Sequence, residues 1–177
     1  GTASPTDSEA SLASQMVGRP VLLRVDKEPA RLRRGGLVLD DVTLLGAGGV
    51  PELDHVSCRV QRGEILAVAG VQGNGQSELA EVILGLRTPD SGTIALEGRD
   101  ITRANPRKSL HSGVGFVPED RMTDGMVSSF SIADNLVLDQ FNAPEFAWGP
   151  SRKLGAVARN ARAKQEEYDI RLTSITD

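Results

Sequence analysis

No aromatic residue occurs before Phe116, and the whole chain of 177 residues holds only one Trp, one Tyr and four Phe. Leu44-Leu45-Gly46-Ala47-Gly48 therefore offers no ring to stack on a base, a contact worth roughly 1–3 kcal/mol in nucleic-acid systems. Cysteine is equally scarce. Cys58 stands alone, which excludes an internal disulfide framework and fits a reducing compartment. No apolar run approaches the ~20 residues that span a bilayer, so any membrane association has to pass through a partner protein. Positive charge is not in excess: the net charge is −4 and the pI near 5.3, so the electrostatic footprint of a nucleic-acid binder is missing. The basic cluster Arg31-Leu32-Arg33-Arg34 reads as a solvated linker, and His55 and His111 lack Cys, Asp or Glu at metal-ligand spacing.

What remains is an ordinary globular composition, 39 % hydrophobic and 25 % charged, long enough for one cored domain or a domain with a tail. Its most informative stretch is Gly70-Val71-Gln72-Gly73-Asn74-Gly75-Gln76-Ser77, set between the apolar run Ile65-Leu66-Ala67-Val68-Ala69 and a helical pattern from Glu78 to Leu86. The spacing is that of a phosphate-binding loop, G-x-x-x-x-G-K-[ST], with Gln76 where the lysine belongs. Glycines at 70, 73 and 75 permit positive φ and leave room for a ligand, so that successive amides can converge on an anion. The following helix adds its unpaired amides and its dipole. Ser77 is placed to coordinate Mg²⁺, and Glu78 opens the helix beside it. Gln76 supplies a hydrogen bond but no charge, forgoing much of an attraction worth roughly 4 kcal/mol at about 4 Å and an effective dielectric near 20. The competing reading is a plain turn between strand and helix. A dinucleotide fingerprint fails on spacing, because Gly73-x-Gly75-x-x is followed by Glu78 rather than glycine or alanine.

Along the chain, Ser11 to Met16 suit the end of a helix, and Val21–Val25 and Leu37–Leu45 suit strands. Pro51 starts a further strand in which Val56, Cys58 and Val60 alternate with polar residues, and Thr93–Glu97 is a short strand between glycines. Asn105-Pro106 opens a helix through Ser112, and Val114–Val117 reads as a buried strand ending at Pro118. Residues 119–126 form a loop at that strand's end, where open α/β sheets bind ligands, which makes Glu119 a candidate sensor of the γ-phosphate or the metal. Glu119-Asp120-Arg121 as a salt-bridged surface turn is the alternative. Ser131 and Asp134 form a capping-box pattern before a helix over 132–140, and Ser151 suits the cap of a last helix with Leu154, Val157, Ala158 and Ala161 on one face.

Together, "VTLLGAGGVPELDHVSCRV", "QRGEILAVAG", "GVQGNGQSEL", "LGLRTPDSGTIALEGRDIT", "GVGFVPEDR" and "DGMVSSFSIADNLVL" resemble the ATP-binding domain of ABC transporters. They look most like the second, degenerate ATP-binding domain of the tandem ATPase subunits of sugar and nucleoside importers. That domain often lacks the loop lysine and carries a "PEDR"-like segment, here Pro118-Glu119-Asp120-Arg121; "GVQGNGQSEL" is nearer the nucleoside branch than the ribose branch. The resemblance implies an α/β fold: a P-loop NTPase-type core sheet with flanking helices, an antiparallel β portion and the start of a helical subdomain. It implies residues 1–36 as tail and linker of a preceding ATP-binding domain, and 37–177 as the first two-thirds of an ABC domain, with 141–177 opening the helical subdomain. The signature loop, second acidic motif, catalytic glutamate and switch histidine would then follow Asp177, leaving the isolated 177-residue chain without ATPase activity.

By the same resemblance the cofactors are ATP and Mg, and the location is cytoplasmic, peripheral on the inner face of the cell membrane. The partners are membrane-spanning permease subunits and a sister ATP-binding domain, with a solute-binding protein indirectly and no nucleic acid. Two functions stay open: an ATPase component driving import of simple sugars or nucleosides, and a regulatory or structural nucleotide-binding module without hydrolysis of its own. A small P-loop kinase is disfavoured, since phosphoryl transfer needs the lysine that Gln76 replaces.

Overall fold

The computed structural model describes residues 4, 6–18, 28–171 and 174. Strand β1 (Arg33–Leu45) buries Leu39, Val42 and Leu44, a spacing that strict alternation does not give. A bulge reconciles the two. Leu39 pairs with Cys58 and Val42 with Val56 on β2 (Pro51–Arg62), so Asp40 and Asp41 together oppose Ser57 alone. One extra residue turns every later side chain to the opposite face, which brings Val42 and Leu44 back to the core. A reciprocal bulge follows at once: Val42 pairs with Val56 and Leu44 with Leu53, so Asp54 and His55 oppose Thr43.

Strand β3 (Ser91–Leu96) joins the other edge of β1, and β4 (Arg99–Asp100) adds to β3, giving the all-antiparallel order β2-β1-β3-β4. Helix α2 (Gln76–Leu84) packs Leu79, Val82 and Ile83 with Leu39, Val42, Leu44, Leu53, Ile94 and Ile101 into the first core. Leu86 lies beyond the helix end and is exposed. Helix α3 (Pro106–His111) follows, capped by Asn105 Oδ1 accepting from Lys108 N–H at 3.0 Å. A second core joins α4 (Ile132–Asn135) to α5 (Leu154–Glu167) through Ala133, Val137, Val157 and Ala161, with Phe146 beneath the small hairpin of β5 (Ala147–Trp148) and β6 (Ser151–Arg152).

Several expectations are corrected here. Ile65–Ala69 and Val114–Val117 are not strands, and Ile65, Val68, Phe116 and Val117 face solvent. An extended run becomes a strand only when a neighbour takes its amides and carbonyls, and neither run finds one among the described residues. Among the described residues the paired strands are all antiparallel and helices flank them, a mixed α/β architecture consistent with an incomplete domain of the expected class. The helix expected over 132–140 is interrupted because Val137 adopts φ −122°, leaving a separate 3-10 turn at Leu138–Gln140. Ser151 lies in β6 rather than at a cap, and α5 starts after Lys153. Of its expected face, Val157 and Ala161 are buried, Ala158 is half-buried and Leu154 is exposed. The N-terminal helix is present as α1 (Glu9–Val17), with Ser8 accepting from Ser11 N–H at 3.2 Å. The expected strand Val21–Val25 lies outside the described residues.

Candidate functional site

In the segment 70–77 two of the three glycines adopt left-handed backbone. Gly73 and Gly75 take φ +86° and +99°, in the region L side chains avoid. Gly75 is buried against the start of β2, where a Cβ would press on the Glu52 carbonyl and the Leu53 side chain. Gly70 does not take positive φ, and a Cβ there would meet only the amide end of the flexible Gln76 side chain, which can swing aside. That amide folds back across the loop and donates from Nε2 to the Val71 carbonyl at 3.3 Å. Gln76 thus ties the helix start to the loop's beginning without placing a charge there.

Helix α2 begins at this loop with no side-chain cap. Its first intrahelical bond runs from Leu79 N–H to the Gly75 carbonyl at 2.8 Å, so the amides of Gln76, Ser77 and Glu78 precede the hydrogen-bonded ladder. These are the donors an anion would use. Two clefts border the loop. One, of about 400 Å³, is lined by Pro51, Glu52, Gly73, Asn74, Gly75 and Glu78. The other, of about 670 Å³, brings Gln76 and Ser77 together with Glu119, Thr123 and Asp124 over an apolar floor that includes Leu84, Leu86 and Phe116. Val71 and Gln72 lie at the exposed start of the loop, outside the lining of both clefts.

Ser77 and Glu119 line the same cleft, and Asp120 holds the 119–126 loop that carries Glu119. Asp120 accepts from Met122 N–H at 2.8 Å, Thr123 N–H at 3.1 Å and the Thr123 hydroxyl at 2.8 Å. The Thr123 hydroxyl and these amides hold the Asp120 carboxyl below its ordinary range. Asp120 therefore shapes the turn, while Glu119 makes no ion pair among the described residues and lines the cleft. The salt-bridged Glu-Asp-Arg turn is not what forms. Asp124 escaped the sequence reading; its only signal was a third carboxylate in the loop that carries Glu119.

Electrostatically the surroundings of the loop are acidic. Arg87, close by at the end of α2, is already engaged by Glu52 at 2.6 Å and Glu81 at 3.6 Å. Its guanidinium is held above its ordinary value mainly by the hydrogen bond to Glu52. No Lys or Arg lines either cleft. Among the described residues no three His, Cys, Asp or Glu side chains converge as a metal site. Ser77 and Glu119 are nevertheless hard oxygen donors, and Mg²⁺ is characteristically held by one or two protein oxygens with phosphates and waters supplying the rest. No described helix is long and apolar enough to cross a membrane.

The sequence profile of the ABC transporter family matches residues 53–176. The glucose import ATP-binding protein TsgD13 of Haloferax volcanii is 41 % identical over 179 aligned residues, covering 100 % of this chain and 32 % of that protein. The guanosine import ATP-binding protein NupO of Bacillus subtilis is 41 % identical over 165 residues, covering 93 % of this chain and 32 % of its own length. The chain thus spans about a third of the length of the curated relatives it matches. Among solved structures, a nucleotide-free ATP-binding cassette of an ABC transporter superposes with TM-score 0.53 at 25 % identity, over 71 % of this chain and 46 % of that one. A dimeric cassette bound to ADP and phosphate reaches TM-score 0.61 at 16 % identity, over 79 % and 60 %, a likeness of fold alone. The family match spans well over half of the chain, and the chain belongs to the ABC transporter family.

Proposed function

We propose that the chain is part of the ATP-binding component of an importer for simple sugars or nucleosides. Residues 37–177 would form part of the second, degenerate domain of a tandem ATPase subunit, and residues 1–36 the tail and linker of the domain before it. Residues 70–78 cradle the nucleotide phosphates, and Ser77 with Glu119 holds Mg²⁺, which would neutralise phosphate charge when bound. The observation that carries this reading is the intact glycine backbone of the loop, open toward Ser77 and Glu119, with Gln76 in place of lysine. Relatives named for glucose and guanosine import support the solute class.

Through permease subunits the domain sits peripherally at the inner face of the membrane, with a solute-binding protein acting upstream. A sister ATP-binding domain completes each nucleotide site, so the Gln76 loop serves binding and closure rather than turnover. Reading the loop as a regulatory module without hydrolysis is favoured by one feature, the missing cation. Calorimetric titration with ATP in Mg²⁺ tests the site: saturable binding weakened by Ser77→Ala supports it, and absence of binding rejects it. Phosphate release that scales with protein concentration and vanishes in Ser77→Ala would reject the binding-only role.

A further inference from the structure

Glu52, at the start of β2, lies against both ends of the segment formed by the glycine loop and α2. At the near end, an added Cβ on Gly75 would come within 2.9 Å of the Glu52 carbonyl oxygen and 3.2 Å of Leu53 Cδ2, so the loop's last glycine rests on this strand. Beyond the far end, Arg87 follows the Gly85 cap, and its Nη1 lies 2.6 Å from Glu52 Oε2 and 3.6 Å from Glu81 of α2. The Arg87 and Glu52 side chains are 33 % and 36 % exposed, so solvent screens this pair less than the open pairs of the surface. Helix α2 has no side-chain cap and Gln76 brings no charge, so an anion at the loop depends on amides alone. The strength of each such bond falls steeply as its angle departs from linear.

We propose that Glu52 is the positioning residue of this loop: through Gly75 at one end and Arg87 at the other it fixes the tilt of α2, and with it the aim of the amides of residues 76–78. The inference rests on the nucleotide-site reading above. Helix α2 has 9 residues and is about 13 Å long. A tilt of about 10° about its far end moves its first amides by roughly 2 Å, enough to break hydrogen bonds to a fixed ligand. Glu52 also lines the 400 Å³ cleft beside Gly73, Asn74 and Gly75, where its charge alone would oppose an anion. Arg87 offsets that charge, so the pair acts on the ligand through geometry rather than through field.

The test is calorimetric titration of the whole chain with ATP in Mg²⁺, together with amide hydrogen exchange of the ligand-free chain. It compares wild type, Arg87→Lys, Arg87→Gln and the double variant Glu52→Gln with Arg87→Gln. The double variant removes one charge of each sign, so it breaks the clamp without changing the net charge near the loop. It should bind ATP about three- to tenfold more weakly than wild type, the scale of one weakened hydrogen bond. Arg87→Gln should bind more weakly still, because Glu52 is then left without its cation, and Arg87→Lys should stay near wild type. Exchange at residues 76–78 should quicken in the double variant while α5, in the other core, keeps its protection. Unchanged affinity in the double variant contradicts the proposal and leaves the nucleotide site standing. So does faster exchange spread evenly over β1, β3 and α2, which marks a pair that only stabilises the fold. No ATP binding by wild type removes the nucleotide-site reading, and the exchange at 76–78 then decides the clamp by itself.

Discussion

His55 and Asp41 are both non-glycine residues with positive φ, +49° and +54°, and they meet across the two bulges of the β1–β2 pair. Their strain is held by side chains. Asp41 N–H donates to the Ser57 hydroxyl at 2.9 Å, His55 N–H donates to the Thr43 hydroxyl at 3.2 Å, and His55 Nδ1 lies 2.7 Å from Asp41 Oδ1. The hydrogen bond to Asp41 first, then the charges of Asp41 and Asp54, raise the imidazole above its ordinary value. A raised folded value means that the stabilising contribution is complete below the unfolded value, about 6.5, and is lost as pH rises through the folded one. His55→Asn should therefore lower the melting temperature more at about pH 5.5 than at about pH 8.5. Equal shifts at both would show that the pair contributes nothing through its charge. The alternation of Val56, Cys58 and Val60 was legible in the sequence; the bulges were not, because they arise from pairing between segments.

At the scale of elements, α2 ends as tightly as it begins. Gly85 closes the helix at φ +76°, its N–H bonding back to the Glu81 and Val82 carbonyls, and a Cβ there would run into the Ala104 carbonyl before α3. Gly85→Ala meets both an αL penalty and a backbone clash, for a combined cost of about 2–4 kcal/mol. Urea unfolding checks it, and an unchanged midpoint would show that the α2–α3 connection gives way freely. Elements whose signals are local were legible in sequence: α3 from Asn105-Pro106, and 119–126 as a loop, though not the Asp120 turn that holds it. The run 114–117 does not form the strand its composition suggests, because strand formation depends on a partner. Ser151 was misread as a cap because the hairpin that claims it turns at Gly149, with φ +56°.

For the molecule as a whole, the two unpaired runs decide behaviour in solution. Ile65 is 84 % exposed and Val117 86 %, and each run presents backbone groups with no strand beside them among the described residues. Such edges template association between copies. Light scattering should show concentration-dependent self-association, reduced by the paired substitutions Ile65→Lys and Val117→Lys. A monomer at all concentrations would mean that these runs are covered in solution.

On the proposed reading, residues 70–77 are a phosphate site without its cation. Gln76→Lys places a cation in the loop, and should tighten ATP binding by about 1–3 kcal/mol, below the ~4 kcal/mol of a close pair because the site is open to solvent. Calorimetric titration of both proteins at low and high salt measures it directly. A clear gain that shrinks as salt rises is the expected result; no gain from the lysine would mean that the loop is a plain turn, and the phosphate-site reading would fall.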